Sequence, residues 1–530
     1  MQKNNILLGK EAREKLVQGV ELMYQCVCTT LSPRGRNVAI ARQWGAPIVM
    51  HDGVTVARDV TSDDKFIKMG IDLIREAAQK TVDEVGDGTT TSTLLAYHLV
   101  KNGMKLIEDG KNPMELRKEL QEALEVLLAE LPKYSRPVSG VEDLKKVATV
   151  SSSDEVIGSL VAEAINKIGD DGQITAEESQ STETYLEYTE GMTFDSGMAD
   201  PRFMTNPNRI EAVVKDAIVA VIDRKVTTNP EIVPLLTAMI KVSKNIVIFG
   251  DLGGDALGTV LVNKMKGNFS ALVVPIPSYG DQRQGYLDDI ATATGAIVLS
   301  KELGLEEAEF NSSFSEDWLG SAKRIVSSKK NTIIVGGGGD QEDIDEQVAR
   351  LKTLKSNPET NKYERENYEE RLAKLTTGVA IIKVGGKTEI DTRERVERVK
   401  DSIGATQAAK VNGIVAGSGT AFLQIREALY SDNMTDGARL LFDILAEHIE
   451  KVLINSGVDN RIEIVDKIVS NLDKNYGYDV HNEVVRDMFE AGIVDPALVI
   501  SCSLENSMSV ATSIMTTDVL IDNITQDKKE

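Results

Sequence analysis

The apolar periodicity of this chain changes twice, and that change limits its fold more than any single motif. In the first 133 residues apolar side chains recur at helical spacing. Phe66, Met69, Gly70, Leu73, Ile74 and Ala77 share one face, and Leu116, Leu120, Ala123, Leu124, Leu127 and Leu131 form a second stripe behind an Asn112-Pro113 start. From about 190 to 378 short apolar runs alternate with amphipathic segments. The pattern predicts strands at Ala212–Val214, Ala217–Ile222, Ile246–Phe249, Ala271–Pro275, Ala296–Leu299, Ala322–Ser327 and Thr332–Val335. It predicts helices at 231–243, 254–266, 284–294 and 342–355, then a helical pair turning at Pro358–Asn361, with Ile344, Val348, Leu351 and Leu354 on one stripe and Tyr363, Tyr368, Leu372 and Leu375 on the other. After a strand near 378–386 and a charged helix at 389–410, helical character returns at Gly417-Ser418-Gly419 and runs nearly to the end. A chain that leaves a helical domain, builds an α/β domain and returns predicts an insertion, with both termini in one domain.

Length and charge agree with several soluble domains. A chain of 530 residues suggests about three or four domains. With 60 basic and 83 acidic residues the net charge is −23, which argues against a general nucleic-acid binder and against docking on anionic membranes. Aromatic content of 5% leaves little for base stacking. Cys26 and Cys28 lack the second pair that a zinc site requires, and three cysteines in so long a chain fit a reducing compartment. The apolar patch near the N-terminus is too short for a signal-peptide core, and no uncharged run approaches a membrane span, so the expected location is the cytoplasm.

One stretch carries chemistry. Val85-Gly86-Asp87-Gly88-Thr89-Thr90-Thr91 precedes the apolar run from Ser92. Glycines admit close approach of a ligand, a helix start offers free N–H groups, and threonine hydroxyls add donors for phosphate oxygens. Asp87 would need a cation between itself and a phosphate, which makes Mg²⁺ the natural companion. The same residues also describe an ordinary capped helix start. This is no Walker A loop: Gly386-Lys387-Thr388 has Ile381 where the first glycine should stand. His51-Asp52-Gly53-Val54 is predicted as a tight turn after the strands Val38–Ala41 and Pro47–Met50. By local sequence alone Asp401 fits a solvated helix face, and the leucines of the central segment fit a core.

Longer blocks resolve these alternatives. Thr30–Val38, Asp52–Arg58, Gly86–Thr91, Glu190–Asp195, Gly280–Arg283, Asn475–Tyr478 and Gly492–Pro496 occur in one order along the chain. In them the chain resembles the group I chaperonins, the bacterial GroEL and mitochondrial sixty-kilodalton heat-shock type, over almost its full length. The resemblance implies a multidomain α and α/β chaperonin fold. It implies a mainly helical equatorial ATP-binding domain at 1–133 and 411–530, a small α+β intermediate hinge domain at 134–189 and 379–410, and an inserted α/β apical client-binding domain at 190–378. It implies a homo-oligomeric ring of seven subunits, single or double, with Thr517–Asp522 as a strand that joins a neighbour's Asn37–Ala41 region. Non-native polypeptides would be the clients and a co-chaperonin a further partner. A ring that only holds clients is the alternative; an ordinary metabolic ATPase lacks a dedicated pocket motif.

The resemblance also implies roles, residue by residue. Thr30, Leu31, Ser32 and Pro33, with Asp87, Gly88, Thr89, Thr90 and Thr91, would contact ATP phosphates. Asp87 would hold Mg²⁺, and Thr30 and Thr90 would help hold K⁺. Gly417, Ser418, Asp479 and Val480 would lie beside ribose and base, and Asp495 would bind the ribose hydroxyls. Asp401 would swing in after ATP binds to position the attacking water, with Asp52 as a second acid near the γ-phosphate and His51 beside it. Met198, Arg202, Phe203, Val233, Leu236, Leu257, Leu261 and Val262 would form the client groove, with Asn263 following.

Several positions depart from the family pattern. Ser32 and Ser418 stand for glycines, His51 for a lysine and Asp479 for an asparagine. Ser196 replaces an arginine that would pair with an acid matching Glu389. Met198 and Arg202 replace tyrosines. Glu450 replaces an arginine whose partner across rings matches Asp459; two acids repel, which predicts a weakened double ring. The end Gln526–Glu530 lacks Gly-Gly-Met repeats.

Overall fold

The computed structural model describes residues 4–41, 47–168, 173–179, 181–189, 191–205, 211–277, 280–300, 315–357, 361–376 and 378–523. Gly172, Glu190, residues 358–360 of the expected helical turn and residues 526–530 lie outside these. The chain divides into two compact units. The first comprises Met1–Glu163, Ala176–Tyr185 and Lys383–Glu530; the second comprises Ala164–Thr175 and Leu186–Ile382. Both termini therefore belong to one unit and the other is built from the middle of the chain.

The first unit is mainly helical. Helices Gly9–Val27, Lys65–Val85, Thr89–Glu108, Pro113–Glu130 and Ala497–Met515 pack on one another around Leu16, Met23, Ile71, Ile74, Leu95, Leu99, Leu120 and Leu504. Their starts are encoded locally. Asp64 caps one through the Phe66 and Ile67 N–H groups, and Asn112 accepts from Met114 and Glu115 ahead of Pro113. Strand Asn4–Leu8 pairs antiparallel with Val519–Asn523, so the expected C-terminal strand finds its partner at the N-terminus of the same chain. Val38–Ile40 pairs with Ile48–Met50.

Two expectations in this unit are corrected. Asp52 does not sit in a hairpin turn. It caps the helix Gly53–Asp59, accepting from the Val54 and Thr55 N–H groups at 3.0 and 2.9 Å and from the Thr55 hydroxyl at 2.7 Å. The C-terminal stretch is not continuously helical either. Ile414–Ala416 pairs with Val494–Pro496, and Tyr476–Asp479 forms a hairpin with Val484–Asp487. These strands are three or four residues long, too short for a period of two to stand out.

The second unit has a seven-stranded mixed sheet among the described residues. Its main path runs Gly191–Phe194, Thr332–Gly337, Gly320–Ser327, Ala212–Val226, Asn245–Leu252, Ser270–Val274, and Val298–Leu299 also pairs with Ala212–Val226. Helices Asn229–Val242, Gly254–Met265 and Gly280–Thr294 connect its parallel strands. The two strands expected before Ile222 are one strand of 15 residues; the polar pair Lys215-Asp216 interrupts the apolar run without ending the pairing. Helices Gln341–Ser356 and Lys362–Thr376 follow. Leu351 is buried there, but Tyr363 is exposed and does not join its stripe. A buried ion pair ties these helices to the sheet's connecting helix. Arg371 grips Asp289 with two hydrogen bonds of 2.7 and 2.8 Å, and Gln347 donates to the same carboxylate at 2.8 Å.

Candidate functional site

A cavity of about 590 Å³ opens within the first unit, and it gathers residues from the whole length of that unit. The Gly86–Thr91 loop forms one wall. Gly86 ends one helix at φ 74°, and Gly88 precedes the next at φ 92° with no side-chain cap. Both are left-handed conformations that glycine alone adopts without strain. A Cβ on Gly88 would also lie 2.8 Å from the Ser503 hydroxyl oxygen and 2.9 Å from Val499. Asp87 is therefore not a helix cap. Its carboxylate accepts from the Gly88 N–H at 2.6 Å and from the Ser151 hydroxyl at 3.0 Å.

Opposite elements complete the wall. The Thr30–Pro33 loop lines it, held from behind by Asn455, whose amide donates to the carbonyls of Cys28 and Leu31 at 3.0 and 2.9 Å. The hydroxyls of Thr90 and Thr30 converge on Gly53, 2.6 and 3.8 Å from where a Cβ there would stand. The Ile414–Ala416 and Val494–Pro496 pairing sets Val415 opposite Asp495 and delivers Gly417 and Ser418 to the same end. The Ser418 hydroxyl donates to the Tyr478 carbonyl at 2.9 Å, joining this end to the hairpin that carries Asp479 and Val480. From the Glu389–Asn412 helix come Glu394, Arg398 and Asp401. That helix approaches the loop closely because Gly404 stacks against Gly86; a Cβ on either would lie 2.7 Å from the other's Cα.

Apart from Gly417, which adjoins the wall, every residue expected to contact ATP lines this one cavity, as do Asp52 and Asp401. Asp401 already lies at the wall in this conformation. Sequence reasoning missed Ser151, Glu394, Arg398 and His448. Arg398 had a signal, standing one helical turn before Asp401. His448 had none, because only packing brings its Nε2 within 3.3 Å of the Thr91 hydroxyl. Asp479 plays a role the sequence did not suggest. Its carboxylate accepts from the His481 and Asn482 N–H groups and the Asn482 amide, closing the hairpin turn. Ser32 and Ser418, the two serines in glycine positions, both keep the left-handed backbone, at φ 77° and 59°.

The electrostatics suit a cation. Burial raises the Asp495 carboxyl to about 7, and the facing Asp87 charge adds to the rise. Burial pushes His51 down from its ordinary value, and the Arg398 charge adds to this. Among the described residues no group of three or more His, Cys, Asp or Glu side chains could hold a metal ion by itself. Asp87 at the wall is the kind of single carboxylate that a phosphate-carried Mg²⁺ takes from a protein.

The expected client groove is only partly a surface. Val233 and Val262 are 45% and 48% exposed, and Met198 and Leu257 are partly covered. Phe203, Leu236 and Leu261 are buried in the core of the second unit, which corrects their expected place: apolar faces of both helices turn to the sheet. Arg202 is tied to Asp200 by two hydrogen bonds. Asn263 spends its amide on the Thr259 carbonyl. Glu450 pairs with Arg461 of its own chain at 3.6 Å, and Glu389 with Arg393 at 2.6 Å.

A model of the TCP-1/cpn60 chaperonin family matches residues 23–525. The chain belongs to the TCP-1/cpn60 chaperonin family. Among solved structures, this chaperonin is similar to the chaperonin gp146 from the bacteriophage EL 2 (Pseudomonas aeruginosa), crystallised in the presence of ATP-BeFx. Against crystal form II the TM-score is 0.68 at 22% identity, covering 98% of this chain and 99% of that one. Against crystal form I it is 0.61 at 21% identity with the same coverage. At that identity the likeness speaks for the fold, and the multidomain α and α/β chaperonin architecture is the one expected. No helix among the described residues is long and apolar enough to cross a membrane.

Proposed function

We propose that this chaperonin binds and hydrolyses ATP in the cavity of its first unit and couples hydrolysis to the folding of non-native polypeptides. The observation that carries this is the convergence of Asp52 and Asp87 with Asp401, which lies over 300 residues further along the sequence, on one cavity with the Thr30–Pro33 loop and the Thr89–Thr91 helix start. Thr89, Thr90 and Thr91 and the N–H groups of the helix start hold phosphate oxygens. Asp87 would hold Mg²⁺, with Thr30 and Thr90 as oxygen donors for K⁺; a cation held there would supply charge neutralisation to the phosphates. Asp495 meets the ribose, and Ser418, Asp479 and Val480 bound the base. Asp52 and Asp401 orient the attacking water and take its proton. Such chemistry asks for positioning and charge neutralisation more than for a covalent intermediate.

The exposed Val233 and Val262 supply apolar area for clients, and apolar burial needs no fixed partner shape. The division into equatorial, intermediate and apical domains, the seven-membered ring, the co-chaperonin and the cytoplasmic setting are part of the same proposal. Refolding of a denatured, aggregation-prone enzyme with ATP tests it, with Asp401→Ala beside the natural chain. Recovery by the natural chain and none by the mutant is expected. Suppressed aggregation without recovery, even with a co-chaperonin added, would favour a holding ring, a role the partly covered groove also allows.

A further inference from the structure

ATP brings four negative charges, and the cavity offers them a hostile wall. Asp52, Asp87, Asp401 and Asp479 line it, beside Asp495, whose carboxyl burial raises to about 7. Among the described lining residues Arg398 is the one arginine or lysine. The position before Asp52, where the family resemblance expects a lysine, holds His51, and burial beside Arg398 disfavours a charge on that imidazole. Mg²⁺ and K⁺ together would bring three positive charges, fewer than the four negative ones of ATP alone, so a phosphate-bearing substrate gains from whatever fixed cation the wall supplies.

Arg398 is placed to supply it. Glu394, Arg398 and Asp401 stand at i, i+4 and i+7 of the Glu389–Asn412 helix and share its cavity face, while Val396, Val399, Ser402 and Ile403 are buried. The Ser402 hydroxyl donates to the Ala148 carbonyl at 2.9 Å and steadies this turn. Arg398 Nη2 lies 2.5 Å from Glu394 Oε1, and its side chain is 36% exposed, so the guanidinium is parked on its own helix at the edge of the cavity. The Arg398 end of this pair is open to solvent while Glu394 is 17% exposed, and a phosphate carries more charge than the single carboxylate it would replace.

We propose that Arg398 is a catalytic residue of this chaperonin, leaving Glu394 to contact the γ-phosphate and stabilise the transition state of hydrolysis. The proposal rests on the ATP reading of the cavity. In the step it serves, a water oxygen bonds to the γ-phosphorus. The bond from that phosphorus to the β,γ-bridging oxygen breaks, and its electron pair leaves on ADP. The surplus proton of the water passes to a carboxylate of the Asp52–Asp401 pair and then to solvent. Arg398 donates no proton; its guanidinium stays charged and meets the equatorial oxygens, where charge spreads in the transition state.

The test compares the full-length natural chain with Arg398→Gln and Arg398→Lys. It measures ATP hydrolysis, and calorimetric affinity for Mg·ADP and for Mg·ADP with aluminium fluoride, a mimic of the transferring phosphoryl group. Arg398→Gln is expected to lower kcat by roughly 10²–10³-fold, to leave ADP affinity within about threefold, and to weaken the aluminium fluoride complex by about tenfold or more. Arg398→Lys should recover only part, because it keeps the charge and loses the fork. Unchanged kcat in Arg398→Gln would overturn the proposal, and so would equal weakening of both complexes. If the glutamine variant fails to fold by circular dichroism, the lysine variant decides on the same two affinities. A natural chain that binds neither ADP nor ATP would overturn the ATP reading together with this one; binding by the natural chain with an indifferent Arg398→Gln overturns this one alone.

Discussion

Gly404→Ala sets two physical effects against each other. Gly404 lies inside the Glu389–Asn412 helix, and helix propensity alone would make alanine there more stable by about 1 kcal/mol. Packing opposes it. The new Cβ would stand 2.7 Å from the Gly86 Cα, 3.2 Å from the Gly86 carbonyl carbon and 3.1 Å from the Val85 carbonyl oxygen. Carbon atoms in ordinary contact stand about 3.5–4.0 Å apart, so the shortfall is about 1 Å. All three neighbours are backbone, and no side chain can turn aside. Overpacking of this kind costs about 1–3 kcal/mol, which cancels or exceeds the propensity gain. The helix must shift away from the Gly86–Thr91 loop by a large part of that shortfall, carrying Asp401 and Arg398 with it. A misplacement near 1 Å lowers a positioned reaction by about 10²-fold. The expected result is a thermal midpoint unchanged or a few degrees lower, ADP affinity nearly unchanged, and an ATP hydrolysis rate reduced about 10²-fold. Calorimetry and a steady-state phosphate-release assay read all three. A raised midpoint with an undiminished rate would show that propensity wins and that the glycine contact does not place Asp401.

Other outcomes follow from single contacts. Ser32→Gly relieves a left-handed serine that costs about 1–2 kcal/mol and gives back about 0.4–1 kcal/mol through unfolded-chain entropy, so urea unfolding should show a small gain. Ser418→Gly should gain less or nothing, because it loses the 2.9 Å hydrogen bond to the Tyr478 carbonyl, a shorter one than the 3.3 Å bond that Ser32 accepts from the Arg34 N–H. Arg371→Leu leaves the buried Asp289 carboxylate without its cation and should cost about 3–5 kcal/mol, with hydrogen exchange rising first in helices Gln341–Ser356 and Lys362–Thr376. His98 is buried against Tyr24 and Tyr97, and burial lowers its pKa from 6.5 to about 4. The unfolded chain then binds the proton first, so stability attributable to His98 is lost as pH falls from 6.5 to about 4, by up to roughly 3 kcal/mol. Parallel denaturant titrations of His98→Gln should show a shallower fall over that window; an identical fall would refute the assignment.

The periodic parts of this molecule are legible in the order of its residues. Helices at Lys65–Val85 and Pro113–Glu130 follow from stripes and caps, and the alternation after 190 announces a sheet with crossover helices. The insertion can be read because composition follows the layer that a segment joins. Asp52 is legible as an acid before a glycine but not as a helix cap, since seven residues are too few for a period of 3.6 to emerge. Phe203, Leu236 and Leu261 show the converse: a family pattern marks them for a groove, and the sheet takes them into the core.

Local spacing and blocks of adjacent residues suffice for the family, the helical and α/β segments, and most of the groups that line the cavity. Which of those groups face one another is a matter of packing. The Gly86–Gly404 contact, the Val415–Asp495 register, the Thr91–His448 pair and the placing of Arg398 among carboxylates each join residues tens to hundreds of positions apart. No local propensity encodes such a meeting; it follows from which apolar faces are buried together, and only the closed core sets the distances on which charge and chemistry depend.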